Sequence, residues 1–126
     1  MKNIILSDKA PAPIGAYSQG TAYNNMIFTS GQLPVDMKTG VLILDDIDKA
    51  AKAAIKNVIA VVEEAGGSKE TILKTTVFMK DLSQFANVNA VYAEVFSENA
   101  PARSAIQVAR LPKDVQIEIE AIAIKK

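Results

Sequence analysis

The C-terminal segment VQIEIEAIAI, residues 115–124, constrains the fold more than any other part of the chain. Its residues alternate with the period of two that is typical of a β-strand. One face carries only Val, Ile and Ala, whereas the other carries Gln116, Glu118 and Glu120 before it turns apolar at its end. A strand of this kind leaves an apolar patch on its second face unless something covers that face.

Two helices are predicted in the rest of the chain. In residues 46–65, apolar residues recur at spacings of three and four, Asp45 or Asp46 can cap the start, and Gly66-Gly67 can end the helix. A second helix is predicted at about residues 83–96. Strands are predicted at 4–6, 19–23, 26–30, 72–80, 102–109 and 115–124, with loops at 10–18 and 31–40.

The order β-β-β-α-β-α-β-β predicts an α+β fold in which two helices pack on one face of a mixed sheet. A length of 126 residues is that of a single domain, residues 1–126. Two helices cannot cover both faces of the sheet, so we expect the second face of the last strand to contact another copy of the chain. The sequence therefore predicts a homo-oligomer with Glu118 and Glu120 near the contact.

The composition excludes much chemistry. The chain has no cysteine and no histidine, which rules out disulfides, thiol nucleophiles, Cys or His zinc sites and catalytic triads. It has no Gly-rich phosphate loop and no clustered acidic metal loop. Net charge is +0 and the lysines are spread along the sequence without a basic cluster, which argues against a nucleic-acid surface. No apolar run suits a membrane span or a signal peptide, so we expect a cytoplasmic protein.

Only two arginines occur, Arg103 and Arg110, both in the segment PARSAIQVARLP. The flat fork of a guanidinium matches a carboxylate with two parallel hydrogen bonds. Arg103 is therefore a candidate to bind the carboxylate of a small substrate, although on arginine chemistry alone a structural salt bridge is the commoner role. Glu118 alternates with apolar residues and needs a cation or donors, for which Arg103 is the natural candidate. Glu120 shares its face and could take that partnership instead.

Three further positions attract attention. Asn89 is predicted on the apolar face of the second helix, where its amide either bonds a loop backbone or lines a ligand site. Tyr17 lies in the Pro- and Gly-rich loop and is either a packing lid over the core or part of a site. Ser30-Gly31 ends a strand, where a glycine N–H can approach a ligand closely.

The segment PARSAIQVARLPKDVQIEIEAIA resembles the signature of the Rid family, the reactive intermediate deaminases of the RidA/YjgF type. APAPIGAYSQG is similar to that family's N-terminal loop, IFTSGQLPVD to its third strand, TTVFMKDL to its fourth and FANVNAVYAEVF to its second helix. The resemblance extends over nearly the whole chain. It implies a chorismate-mutase-like fold assembled as a homotrimer, with sites in the clefts between subunits.

The resemblance also implies a reaction. Members of the family hydrolyse 2-imino acids, chiefly 2-iminobutanoate and 2-iminopropanoate released by pyridoxal-phosphate dehydratases, to 2-oxo acids and ammonia without cofactor or metal. By position, Arg103 would bind the substrate carboxylate and Glu118 would orient the attacking water. The backbone carbonyl of Ala105, where relatives often have cysteine, would help to hold that water. The remaining cleft positions would be Tyr17, Ser30, Gly31 and Asn89.

Two other functions stay open at this point. A non-catalytic module that binds a 2-oxo acid and signals to a partner would need the same Arg103. RNA cleavage with inhibition of translation is associated with some members of the family, but zero net charge and the absence of histidine count against it. The sequence identifies neither the physiological imine nor the dehydratase that supplies it.

Overall fold

The computed structural model describes residues 1–126 as a six-stranded sheet, a two-stranded hairpin and two helices. Short 3₁₀ turns precede the fourth sheet strand, the second helix and the last strand. No helix is both long and apolar enough to cross a membrane. In chain order the elements are β1 (Asn3–Ile5), β2 (Gly20–Tyr23), β3 (Met26–Thr29), β4 (Val35–Asp36), β5 (Val41–Leu42), α1 (Ile47–Glu64), β6 (Ile72–Met79), α2 (Phe85–Val95), β7 (Ala102–Gln107) and β8 (Ile117–Ile124).

The predicted mixed sheet is confirmed. Its strand order is β1-β2-β3-β8-β6-β7, with β6 and β7 parallel and every other neighbouring pair antiparallel. The C-terminal strand β8 therefore lies inside the sheet between β3 and β6, as its apolar alternation requires. The strands β1 and β7 form the two edges.

Both helices cover the same face of this sheet. The residues of β8 that point toward them, Ile117, Ile119, Ala121 and Ala123, are at most 3% exposed. Helix α1 packs against β8 and β3, and α2 lies beside α1. From α2, the hydroxyl of Tyr92 donates to the Thr75 hydroxyl on β6 at 2.9 Å. The predicted placement of two helices on one face is thus confirmed.

The other side of the sheet, called here the open face, has no helix over it. Residues opposite one another in neighbouring strands project to the same face, and Phe28 is opposite Ile122 while Phe78 is opposite Glu118. Phe28 is 44% exposed and Ile106, three strands away on the same face, is 45% exposed. An apolar surface of this kind is typical of a contact between subunits.

The element ends differ from prediction where local hydrogen bonds decide them. Asp46, one of the two predicted caps, accepts the Lys49 N–H at 3.1 Å and starts α1. Gly66 follows the helix with φ +97°, the freedom expected of it. Helix α2 starts later than predicted, because Asp81 accepts the Ser83 N–H and fixes a 3₁₀ turn over Leu82–Gln84 instead.

The prediction of a loop throughout residues 31–40 is wrong at β4, which pairs with β5 just after that range and forms a hairpin. Each strand has only two residues, too few to leave an alternating pattern in the sequence. The hairpin is anchored from α1 by Asn57, which is 1% exposed and whose side-chain amide donates to the carbonyls of Leu33 at 3.1 Å and Val35 at 3.0 Å. A buried polar residue in α1 thus holds the connection after β3 in place.

The N-terminal loop is anchored in a similar way by Gln19. This side chain is 1% exposed. Its oxygen accepts the Ser7 N–H at 2.6 Å, and its nitrogen donates to the carbonyls of Ser7, Ala10 and Pro11 at 3.0, 3.2 and 2.8 Å. One amide therefore fixes the start of the loop, residues 7–11, relative to β2.

We predict that Gln19→Leu destabilises the protein by about 3 kcal/mol, because a buried donor and buried acceptors lose their partner and each unpaired group costs about 1–3 kcal/mol. Urea denaturation at constant protein concentration measures the change. Gln107→Leu is the matched control: it removes a single exposed hydrogen bond, to the Leu82 N–H at 2.9 Å, and should cost less than about 1 kcal/mol. Equal losses in the two variants would contradict the anchoring role of Gln19.

Candidate functional site

Arg103 lies on the edge strand β7 and points toward α2. It is opposite Thr75 in the parallel pair, so its side chain projects to the helix-covered face. The guanidinium carbon is 4.8 Å from the centre of the Phe85 ring and 4.9 Å from that of Tyr92. One guanidinium nitrogen donates to the Asn89 side-chain oxygen at 3.0 Å. Two aromatic rings and one amide therefore fix the direction of the fork.

No carboxylate of the chain neutralises this guanidinium. The two ion pairs present are Lys52–Glu94 and Lys80–Asp114. A structural salt bridge, the commoner role on arginine chemistry alone, is therefore not what Arg103 makes within the chain. A guanidinium has five N–H donors, and the bond to Asn89 uses one of them. The others remain available to an acidic ligand.

Asn89 occupies a different place from the one predicted. It is exposed rather than buried on the apolar face of α2. Successive helix residues are rotated by about 100°, which puts Asn89 on the flank next to buried Val88. That flank faces the sheet edge, so its side chain meets Arg103 instead of a loop backbone.

Burial affects the ionisation of Tyr92. It raises the pKa of this phenol, against the smaller lowering effects of the Thr75 hydrogen bond and the Arg103 charge. The ring next to Arg103 therefore stays neutral at physiological pH and offers a π face rather than a negative charge.

Ala105 lies two residues after Arg103 on the same strand and face, partly buried against the core. The Val108 N–H donates to the Met79 carbonyl at 3.0 Å, which directs the backbone of position 108 toward β6. Backbone groups alternate in direction along a strand, so the carbonyl of Ala105 points to the free edge of the sheet. It is an acceptor at the same edge as the Arg103 fork.

Glu118 lies on the open face, because both of its neighbours in β8 are fully buried on the other face. It is half-buried, and its burial, followed by the charge of Glu120, raises the pKa of its carboxyl group. It has no cation within ion-pair distance. The predicted partnership of Arg103 with Glu118 or Glu120 is wrong within one chain, because the alternation of the sheet sends these residues to opposite faces.

An irregularity in the strand pairing brings Gly31 to Glu118. Phe28 is opposite Ile122, whereas Gln32 is opposite Ile119. Four steps on one strand thus match three on the other, and one extra residue lies between these pairs, as in a β-bulge. The backbone here approaches Glu118 so closely that a Cβ on Gly31 would overlap its carboxylate oxygen.

Ser30 precedes Gly31 in the chain and is bonded to the N-terminal loop, which carries Tyr17. The Ser30 hydroxyl donates to the Ser18 carbonyl at 2.6 Å and its N–H donates to the Gln19 carbonyl at 2.8 Å. These bonds attach the N-terminal loop to the end of β3. The hydroxyl of Tyr17 accepts the Ile14 N–H at 3.3 Å, and its side chain is 52% exposed. Tyr17 is therefore not a packing lid over the core.

The candidate residues thus form two groups. The arginine group lies at the β7 edge and consists of Arg103, Asn89 and Ala105 with the rings of Phe85 and Tyr92. The carboxylate group consists of Glu118 on the open face and Gly31 against it, with Ser30 next to Gly31 in the chain and Tyr17 on the loop that Ser30 holds. The sheet separates the two groups, so one chain alone does not bring them together. No three His, Cys, Asp or Glu side chains converge in a way that could hold a metal ion.

Sequence reasoning missed the role of the two aromatic residues. From the sequence, Phe85 and Tyr92 look like apolar core residues of the second helix, and they do pack against the core. Their spacing of four and three residues around Asn89 is the signal that could have placed them beside the arginine. That spacing identifies the contact only when the register of β6 and β7, which the sequence does not show, is known.

Comparisons with known proteins agree on the family of this chain and on its fold. The profile of a family described as endoribonuclease L-PSP matches residues 7–125. A 2-iminobutanoate/2-iminopropanoate deaminase from Salmonella typhimurium is 53% identical, with 100% of this chain and 100% of that protein covered. The structure of the YjgF gene product from E. coli has a TM-score of 0.92 and 52% identity, and that of E. coli TdcF with bound serine has 0.92 and 47%. Each covers 98% of this chain and 99% of the other.

We predict that Gly31→Ala moves the Glu118 carboxylate without unfolding the protein. The new Cβ would lie 2.7 Å from the carboxyl carbon of Glu118, and the end of a flexible side chain can rotate away at a cost below about 1 kcal/mol. A crystal structure of the variant, with its melting temperature, checks this.

Gly40→Ala is the control for that substitution. A Cβ added at Gly40 would meet open space, but the backbone there has a φ of +73°. The substitution should therefore cost about 1 kcal/mol in backbone strain and leave Glu118 in place. An unmoved Glu118 in Gly31→Ala would contradict the close approach described here.

Proposed function

We propose, for a chain that belongs to the endoribonuclease L-PSP family, the reaction for which its deaminase relatives are named: hydrolysis of 2-iminobutanoate and 2-iminopropanoate to 2-oxo acids and ammonia. The observation that carries the proposal is the Arg103 guanidinium, which is fixed by an amide and two aromatic rings and has no carboxylate of its own. The relative TdcF was solved with serine bound. Serine carries the carboxylate that such a fork would bind.

In this proposal Arg103 binds the substrate carboxylate through two parallel hydrogen bonds. The 2-imino carbon is bonded directly to that carboxylate, so fixing one fixes the direction of the C=N bond. Lysine, a mobile point charge, would not fix it. The remaining bond, from Arg103 to Asn89, keeps the guanidinium plane in one orientation.

The second part of the proposal is assembly. The arginine group lies at the free β7 edge and Glu118 of the carboxylate group on the open face, so a complete site needs Arg103 of one copy next to Glu118 of another. We propose a homotrimer with a chorismate-mutase-like arrangement, in which the open faces turn inward and three such sites form between subunits. The exposed Phe28 and Ile106 support a contact through the open face.

The chemistry requires no strong nucleophile, because a protonated imine carbon is already electrophilic. A water molecule donates one hydrogen bond to the Glu118 carboxylate and one to the Ala105 carbonyl, and its oxygen attacks the imine carbon. Glu118 takes a proton from the water and returns it to the nitrogen of the resulting carbinolamine. As the C–N bond breaks and ammonia leaves, the carbinolamine hydroxyl gives its proton to Glu118 and becomes the C=O of the 2-oxo acid. Glu118 then passes that proton to the departing ammonia. A carboxyl group whose pKa is raised by burial is suited to this exchange.

Two other functions compete with this proposal. The names of some family members suggest RNA cleavage, and a non-catalytic binding module would use the same arginine. The arginine group favours a small acid over RNA, because one fork set between aromatic rings matches a carboxylate and provides no track for a phosphate backbone. A binding module would retain ligand but not accelerate imine decay. Imine decay in the presence of the protein therefore separates a deaminase from a binding module.

We predict that Arg103→Ala and Arg103→Lys each lower kcat/KM by on the order of 10²-fold or more, since the charge pair with the substrate or its geometry is lost. Threonine dehydratase acting on threonine generates the imine, and its decay is followed with and without the protein. Arg110→Ala removes the only other arginine and should be fully active. Full activity of Arg103→Ala would refute the assignment, and wild-type binding of 2-oxobutanoate without catalysis would favour the sensor.

We predict that two inactive variants complement each other. Arg103→Ala and Glu118→Gln are each expected to be inactive alone, because each removes one half of every site. If the halves come from different copies around a cyclic trimer, mixed trimers made by co-expression should recover about one quarter of wild-type activity. Co-expression of Arg103→Ala with Arg103→Lys is the control and should recover none. No recovery in the first mixture would mean that both residues act within one chain.

A further inference from the structure

We propose that this protein has a second binding site, a lysine-lined groove along α1 that takes an organic polyphosphate of nucleotide size. The groove lies between α1, the β4–β5 hairpin and the start of the N-terminal loop, and its volume is about 600 Å³. That volume is in the range of sites for small molecules and cofactors. Its cationic residues are Lys9, Lys38, Lys49, Lys52 and Lys56.

Three segments that are distant in sequence bring these lysines together. Lys49, Lys52 and Lys56 follow one another at spacings of three and four residues, so they share one face of α1. Lys38 comes from the turn of the hairpin and Lys9 from the N-terminal loop. The expectation of no basic cluster is therefore wrong for the folded chain. Lysines that are spread evenly along the sequence come together in this groove.

Carboxylates do not balance this charge. Asp8 and Asp36 are the two acidic residues that line the groove. The Asp36 side chain already accepts the Lys38 N–H at 2.9 Å and shapes the hairpin turn. Of the five lysines, only Lys52 has an ion-pair partner, Glu94 at 3.5 Å. Ammonium groups gathered without counter-charge repel one another, and a multiply charged anion removes that repulsion.

The walls of the groove are held in place by the buried anchors described above. Asn57 forms part of the lining and ties the hairpin to α1 through its bonds to the Leu33 and Val35 carbonyls. Gln19 holds the loop that carries Lys9 through its bond to the Ala10 carbonyl. The lysines therefore extend from a fixed frame, which reduces the ordering cost of binding.

The lining favours a small polyphosphate over RNA. It includes the apolar side chains of Val35, Met37 and Ile43, which can pack against the organic part of a ligand, but no aromatic ring on which successive bases could stack. The positive charge is also confined to one groove, whereas a nucleic-acid strand needs a continuous track.

This site is separate from the proposed deaminase site. None of the residues of the arginine group or the carboxylate group lines the groove. The lysines of α1 lie on its exposed side, away from the sheet that α1 covers, so assembly through the open face leaves them accessible. The inference therefore stands or falls without the proposed function.

The test is titration of the intact protein with ATP and with inorganic tripolyphosphate, by calorimetry at low salt. We expect both to bind, with ATP tighter if the apolar lining contributes, and both to weaken as salt is raised. The double variant Lys49→Gln/Lys56→Gln should weaken binding at least about tenfold, since two unpaired ammonium contacts are lost. Its imine hydrolysis should be unchanged.

Two controls make the outcome decisive. Lys2→Gln/Lys126→Gln removes the same charge from exposed positions outside the groove and should bind normally. Arg103→Ala, which would remove the deaminase site, should also bind both probes normally. The proposal is overturned if neither probe binds, if the control pair loses binding as much as the groove pair, or if an RNA oligonucleotide binds the protein and the two small probes do not.

Discussion

The alternation of side chains along β8 is the constraint on which the rest of the structure depends. Ile117 and Ile119 bury against the helices, and this forces Glu118 between them to the opposite face. On the neighbouring strands the same rule sends Arg103 to the helix side, opposite Thr75. A sheet with one covered face therefore keeps the cation and the carboxylate of a single chain apart. Their separation leaves the guanidinium without a counter-charge, which is why the proposed site takes its carboxylate from a second copy.

The neutral surroundings of Arg103 have a physical reason in this arrangement. A carboxylate partner would hold the fork firmly, but it would also occupy the donors that a ligand needs. Each aromatic face contributes about 0.5–2 kcal/mol to the guanidinium, depending on its exposure, and the Asn89 bond at 3.0 Å sets its plane. The guanidinium is thus held in one orientation while its positive charge is left without a carboxylate partner. Burial raises the pKa of Tyr92 and so keeps the flanking phenol from becoming an anionic competitor.

The sequence predicts the long helices and strands and the face that each buries, but not which distant segments contact one another. Periodicity located both helices and the buried face of β8, because burial acts directly on spacing. Periodicity missed the β4–β5 hairpin, whose strands are too short to show a period. It also predicted that Asn89 lies on the apolar face of α2, whereas Asn89 lies exposed on the flank of that helix. The anchors Gln19 and Asn57 look like ordinary polar residues until the loops that they hold are folded around them. Guanidinium chemistry made Arg103 a candidate for carboxylate binding, whereas the role proposed for Glu118 came from the likeness of PARSAIQVARLPKDVQIEIEAIA to a known signature.

The free edge at β7 has a further consequence for the handling of this protein. A single copy presents unpaired backbone groups along β7 beside an open face with exposed Phe28 and Ile106. Such an edge is a template for unintended strand pairing and aggregation. In the proposed trimer, dilution or heating that separates the copies would expose both surfaces at once, so association would protect the chain from precipitation as well as from unfolding.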